Sequence, residues 1–319
     1  MTTPSDLRGR RCLVLGAGGF IGTNLCRHLA ACGAEVAGFG RAPAYPRALQ
    51  GIAWTVGEFA DRAALARAVE GNELVFHLIG SRLPESSNRD PIGDLDANVV
   101  STLHLLEACR RSAVAKLVFA SSGGTVYGVA PPIPIPETAP TEPITAYGIG
   151  KLAVEKYLSL YQRLYGLDYA VLRISNPFGP FQGGDRRQGV VAAFIHQALR
   201  GATLEIWGDG EVVRDFVYID DVVAALAAAA LQSGPHRLFN VGQGVGRSVN
   251  QVIADIESVL ERGPLARRYR PSRAADVPVN ILDIGLIGRE LGWQPRADWL
   301  ASLRATARWL ADPAAPGGG

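Results

Sequence analysis

Short apolar runs that alternate with helical stretches point to an α/β protein: a doubly wound parallel sheet followed by a smaller C-terminal domain. The first run, "RCLVLG", ends in glycines and leads into the helical pattern "FIGTNLCRHLAACG" and a second strand, "AEVAGFG", which together make a β-α-β unit. Further strands are expected at "LVFHLIG", "KLVFASS" and "YAVLRIS". Between them lie the helical segments "DRAALARAVE", "DANVVSTLHLLEACRRS" and "KLAVEKYLSLYQRLYG". After Asn176 loops lengthen, Pro and Gly become more frequent and elements shorten. We therefore expect one domain over 1–176 and a second over 177–319, with a segment near 215–242, ending in the strand "FNVG", returning to the first sheet. The tail "DPAAPGGG" is low in complexity and reads as a frayed end.

Bulk properties narrow the function. With 319 residues, 48% of them hydrophobic, the chain can fill a sizeable core. The 32 basic and 30 acidic residues are spread along it, so there is no footprint of a nucleic-acid or membrane-surface binder, and small molecules are the expected partners. The start lacks an apolar signal core and no long apolar run follows, which predicts a cytoplasmic protein. Cys12, Cys26, Cys32 and Cys109 have no C-x-x-C spacing; free thiols are expected, and no metal site.

In "GAGGFIG", Gly16, Gly19 and Gly22 fall at a strand-to-helix turn. Glycine there permits a tight turn and close backbone approach to a pyrophosphate, and the helix N-terminus favours its charge. This is the dinucleotide-binding arrangement of a Rossmann domain, with Phe20 and Ile21 opening the helix. Where an acidic residue would hold the adenosine ribose of NAD, the second strand has Gly40 followed by Arg41. Arg41 either pairs with the 2'-phosphate of NADP or is a solvated loop arginine. Glu58, after the third strand, is a candidate contact on the adenine side.

"AYGIGK" sets Tyr147 one helical turn before Lys151, so both side chains share a face. A nearby ammonium favours the phenolate, and Tyr147 could then take a proton from a sugar hydroxyl as hydride leaves the same carbon. The strand exit "FASSGGTVYG" supplies hydroxyls close by in sequence.

With these motifs the chain resembles the extended short-chain dehydrogenase/reductases, and among them the nucleotide-sugar 4-epimerases. The resemblance runs in order through "GAGGFIG", "VFHLIG", "NVVSTLHLLEAC", "SSGGTVYG", "YGIGK", "LRISNPFGP", "IWGDGEVVRDFVYIDDV" and "LGWQP". It implies that Tyr147 is the acid/base, that Lys151 holds the cofactor ribose and tunes Tyr147, and that a hydroxyl supports the sugar O4. Related enzymes carry that serine or threonine where this chain has Gly123, so the hydroxyl is expected from Thr125 or, close behind, Ser122. The 4,6-dehydratases carry an Asp-Glu pair just after this position; Gly124-Thr125 offers no such acid and base, which argues against elimination of water. The resemblance also implies a homodimer through the helices "DANVVSTLHLLEACRRS" and "KLAVEKYLSLYQRLYG".

At the substrate end the resemblance places Asn176, Arg214, Arg273 and Asp276 on a nucleotide diphosphate and its ribose, and Gln188 and Trp207 around the base or sugar. Arginine forks suit bidentate pairing with a diphosphate. Asn280 stands where some relatives have a tyrosine closing the sugar pocket, leaving room for a 2-acetamido group. The leading expectation is a 4-epimerase for a UDP-hexose or UDP-N-acetylhexosamine with bound NAD. A 4-keto-sugar reductase using NADPH would employ the same residues, with Gly40-Arg41 in its favour, and a non-catalytic nucleotide sensor is the third reading.

Overall fold

A computed structural model describes residues 4–80, 84–130, 132–183, 189–272 and 277–312. In chain order, β1 (Arg11–Leu15), α1 (Phe20–Ala31), β2 (Glu35–Gly40), β3 (Ala53–Val56), α2 (Arg62–Val69) and β4 (Leu74–His77) come first. The short α3 (Pro84–Arg89) and α4 (Pro91–Asp94) precede a π-helical turn, Leu95–Val100, that runs straight into α5 (Ser101–Arg111). Then follow β5 (Lys116–Ser122), α6 (Ala146–Tyr165), β6 (Asp168–Ile174), β7 (Asn176–Phe178), α7 (Val190–Leu199), β8 (Leu204–Trp207) and β9 (Val213–Tyr218). The chain continues through α8 (Ile219–Leu231), β10 (Leu238–Val241), β11 (Gly246–Ser248), α9 (Val249–Leu260), β12 (Arg267–Arg270), β13 (Val279–Asn280), α10 (Gly285–Leu291) and α11 (Trp299–Ala311).

Seven strands form one parallel sheet in the order β10-β6-β5-β4-β1-β2-β3. Because successive side chains of a strand point to opposite faces, each strand feeds two cores. In β1, Cys12 and Val14 join a cluster with α1 and α8, whereas Leu13 and Leu15 join one with α2, α5 and α6. Each such fully buried aliphatic side chain contributes about 1.5–3 kcal/mol. Strand order reverses between β1 and β4, and the crevice beyond their carboxyl ends is where a doubly wound sheet receives its ligand.

β9 anchors the smaller region. It pairs in parallel with β7 and β13 and antiparallel with β11, while β8 and β12 make a separate parallel pair. Phe178, Phe194, Ile206, Phe216, Ile253 and Leu303 fill the core there. The buried Asp215 carboxylate accepts from the backbone N–H of Gln243 (2.7 Å), Gly244 (3.2 Å) and Leu282 (3.3 Å), joining β9 to the loop after β10 and the segment after β13.

Cys12, Cys26 and Cys109 are free and buried, and burial raises all three thiols. The helix expected from Asp96 departs from α-geometry in its first turn. Ser101 Oγ donates to Asp96 O (3.1 Å) and Thr102 Oγ1 to Asn98 O (2.5 Å), so hydroxyls compete for carbonyls there and the turn widens. No helix among the described residues is long and apolar enough to cross a membrane.

Candidate active site

At the end of β1 the backbone folds tightly, with Gly16 N donating to Phe39 O (2.9 Å) and Gly19 N to Gly16 O (3.0 Å). Gly16 has φ +82°, and a Cβ on Gly22 would lie 2.2 Å from Gly16 O, so side chains are excluded from both positions. Gly19 is the N-cap of α1 and gives no side-chain cap, which leaves the first amides of that helix to a ligand. Bare helix amides above a glycine cradle at the sheet's switch point fit the pyrophosphate of a dinucleotide. Phe20 and Ile21 are half-buried and pack against the core under α1. Arg41 and Glu58 are exposed just beyond β2 and β3.

The chemistry-bearing pair stands on the first turn of α6. That turn is capped from three sides: Thr145 Oγ1 accepts from Gly148 N (3.1 Å), Ser87 Oγ from Tyr147 N (3.0 Å) and Asn88 Oδ1 from Ala146 N (2.8 Å). Tyr147 and Lys151 share the face turned to β5, and Lys151 Nζ donates to Ala120 O at 2.9 Å. The ammonium lies 4.7 Å from the Phe119 ring centre and 5.7 Å from that of Tyr147. Burial of its hydroxyl pushes the Tyr147 phenol up to about 12; the Asp94 carboxylate adds to this, and a hydrogen bond with Ser122 opposes it. Lys151 is pulled down to about 8 by burial, against the opposing charges of Glu155 and Asp94. Burial thus holds the Tyr147 phenol neutral and draws Lys151 toward neutrality, so two groups that can exchange protons stand within one turn of helix.

Ser122, not Thr125, is the hydroxyl on Tyr147. Thr125 Oγ1 is buried without a partner, and its backbone carbonyl instead lies over Gly148, where a Cβ would approach it to 2.8 Å. Thr125, the hydroxyl preferred from the sequence, thus makes no hydrogen bond here, whereas Ser122, the second choice, meets Tyr147. Position 123 is closed to a hydroxyl, because a Cβ there would meet Leu282 Cδ1 at 2.5 Å and Arg173 O at 3.0 Å. Gly123→Ser should lower stability by about 1–3 kcal/mol through overpacking. An unchanged denaturant midpoint would show that Leu282 moves aside freely.

Around the substrate end, Asn176 Nδ2 donates to Asp215 O (3.0 Å), so its amide nitrogen is committed to the β7–β9 seam. Arg214 Nη1 donates to Val213 O (3.0 Å) and Val277 O (2.5 Å), which fixes the guanidinium beside β13. Trp207 ends β8 and is 43% exposed, open to a planar ring. Asn280 is buried, and its Nδ2 donates to Gly123 O (3.1 Å) while Oδ1 has no partner; it braces the hydroxyl-bearing loop. Gln188, Arg273 and Asp276 lie outside the described residues.

Several groups not singled out from the sequence share this site. A small cavity beside the Tyr147–Lys151 pair is lined by His77, Asp94, Asn98 and Thr102 among others. Thr102 donates to Asn98 O and therefore accepts from His77 Nε2 (2.9 Å), which leaves Nδ1 bare and buried. Burial, with Lys151 adding to it, holds His77 neutral. Glu155, one turn beyond Lys151, pairs with Arg173 at 2.6 Å and accepts from Ser121 Oγ at 2.5 Å. The spacing of Lys151 and Glu155 on one helix is a signal the sequence does contain; the approach of Asp94 is not.

The model of the NAD dependent epimerase/dehydratase family matches residues 12–242. UDP-glucose 4-epimerase of Mycolicibacterium smegmatis is 37% identical over 308 residues, covering 94% of this chain and 98% of that protein. Among solved structures, UDP-glucose 4-epimerase of Thermotoga maritima with UDP-glucose superimposes with a TM-score of 0.89 at 35% identity, covering 93% of this chain and 97% of that one. The Thermus thermophilus UDP-glucose 4-epimerase complex with NAD gives a TM-score of 0.86 at 31% identity, covering 94% and 98%. With most of its length matched, the chain belongs to the NAD dependent epimerase/dehydratase family.

Proposed function

We propose that the protein is a nucleotide-sugar 4-epimerase, acting on a UDP-hexose with NAD held by the 1–176 domain and the nucleotide sugar by the remainder. The observation that carries this reading is the grouping of Ser122, Tyr147 and Lys151 where the end of β5 meets the first turn of α6, with neither acid nor base at Gly124-Thr125 to drive elimination. When bound, the nicotinamide supplies the acceptor, and later the donor, of the C4 hydride. Tyr147 takes the O4 proton as the C4–H bond breaks and C4 becomes a ketone, and it returns that proton when hydride is delivered to the opposite face. Ser122 holds O4 on the Tyr147 side and its hydrogen bond opposes the effect of burial on the phenol, while the Lys151 ammonium stands 5.7 Å from the ring. Lys151 also binds the cofactor ribose. Asn176, Gln188, Trp207, Arg214, Arg273 and Asp276 hold the nucleotide diphosphate, with the arginines countering its charge.

NAD is the cofactor we favour; exposed Arg41 would be the contact for the extra phosphate of NADP. The test is incubation of the purified protein with UDP-galactose and no added reductant. UDP-glucose should appear, and denaturation should release NAD. No interconversion, with NADPH consumed on a nucleotide 4-keto sugar, would replace the reading with the reductase.

The outer face of α6 supports a homodimer. Ile149 (55% exposed), Leu160 (43%) and Leu164 (58%) fall on one stripe, opposite the face that carries Tyr147 and Lys151. Ile92 and Leu95, ahead of α5, extend the exposed apolar surface. A second copy would bury it through a self-complementary helix pair. Leu160→Glu combined with Leu164→Glu should convert a dimer to a monomer by light scattering; a wild type that is already monomeric at micromolar concentration would overturn the assembly.

A further inference from the structure

From the geometry of the small cavity we infer that Asp94 is a positioning residue of the reaction, a buried carboxylate that sets the working pH range of Tyr147 and Lys151 together. The inference rests on the proposed roles of those two residues.

Asp94 ends α4 and is 2% exposed. The widened turn that follows it carries Asn98 back over it, and Asn98 Nδ2 donates to Asp94 Oδ1 at 2.9 Å. The other oxygen reaches α6: Oδ2 is 3.6 Å from where a Cβ on Gly150 would sit, an ordinary contact distance. Asp94, Tyr147 and Lys151 line one cavity. A carboxylate with so little exposure is neither a solvated surface charge nor screened by salt. Its position between the π-turn and the residue preceding Lys151 places a negative charge where it acts on both members of the pair, and it favours the protonated form of each.

Among the described side chains, the charged and titratable groups on the packed elements are these. From α6 come Tyr147, Lys151 and Glu155, and from β4 His77, which is neutral. α3 brings the exposed Arg89, and the chain next to Asp94 brings the exposed Asp90 and Asp96. On α5, His104 interacts with Arg62 instead. Glu155 is committed to Arg173, at 2.6 Å. Lys151 thus faces two carboxylates, Glu155 first and Asp94 second, and of these Asp94 is the one that also acts on Tyr147.

The consequence has a sign that a packing role lacks. Removing a negative charge lowers the pKa of both neighbours, so the rise of activity governed by Tyr147 and its fall governed by Lys151 both move to lower pH. Asp94→Asn keeps the shape and can still accept from Asn98. The expected result is a shift of both limbs in the same direction by about one pH unit, the size of effect a charge at this range exerts. A second readout does not depend on turnover. The chain has three lysines, Lys116, Lys151 and Lys156, so trace acetylation with acetic anhydride followed by peptide mass spectrometry reports Lys151 directly, with exposed Lys156 as reference. In Asp94→Asn, Lys151 should label roughly fivefold faster at pH 7, the free-amine increase that a fall of one pKa unit from about 8 produces. Unchanged labelling with an unshifted profile would overturn the inference, as would opposite shifts of the two limbs. Asp94→Ser serves if the asparagine variant does not accumulate; failure of both to fold would assign Asp94 to structure and overturn it equally. A wild type without epimerase activity but with the labelling difference intact would sink the proposed reaction while leaving the charge relation standing.

Discussion

Tyr147→Phe is expected to lose about 100- to 10,000-fold in turnover, the range that general acid–base catalysis supplies, while nucleotide affinity stays close to wild type. The phenylalanine keeps the ring against Lys151 and the α6 caps, which bind backbone amides rather than the phenol. Only the proton path is removed. Ser122→Ala deletes one neutral hydrogen bond to the phenol, about 0.5–1.5 kcal/mol or roughly tenfold at most. Thr125→Val should do less, because its hydroxyl has no partner to lose. The measurement is coupled conversion of UDP-galactose for all three variants, with ligand binding followed separately. If Tyr147→Phe keeps its turnover while Ser122→Ala is silent, the proton path runs through the serine.

The largest effect on stability is expected at Glu155. Its carboxylate and the Arg173 guanidinium are each 4% exposed at the side chain and 2.6 Å apart. Arg173 also lies 4.7 Å over the Tyr127 ring, and Tyr127 OH donates to Asn240 Oδ1 at 2.7 Å, so the pair is the centre of a buried polar group. Glu155→Ala leaves the guanidinium buried and unpaired and Ser121 Oγ without its acceptor. The loss should be about 3–5 kcal/mol, a fall in melting temperature on the order of 10 °C. Replacing both partners by apolar residues, Glu155→Leu with Arg173→Met, should recover most of it, because no charge is then stranded. A single variant that melts like wild type would mean that water reaches Arg173 and solvates it.

Residues whose role is local were legible. The strands of the large sheet, β4 excepted, end at or directly before a glycine or serine and alternate between two cores, and Tyr147 and Lys151 meet because one helical turn separates them. What escaped depends on contacts between distant segments. Ser122 and Thr125 are equivalent by composition, and the choice between them follows from the turn at 122–125 and from Leu282 filling the space beside Gly123. Asn280 reads as a pocket residue by position, yet its amide is spent on Gly123 O from the far side of the chain. Asp94 lies outside every segment singled out in the sequence, and its approach to Gly150 of α6 exists only in the fold.

β10 bears on how the molecule is made. It occupies one edge of the seven-stranded sheet, hydrogen-bonded to β6, yet it is synthesised after β7, β8 and β9 have left the ribosome. Until Leu238–Val241 emerges, the nascent chain holds a six-stranded intermediate whose last strand has an open edge, with Val171, Leu172 and Ile174 beside it. A fragment ending at Asn176 should therefore associate through that edge rather than stand alone. β10 thus interrupts the small region, whose β11, α9 and α11 follow it in the chain, so that region cannot complete its core until the strand that closes the large sheet has been made.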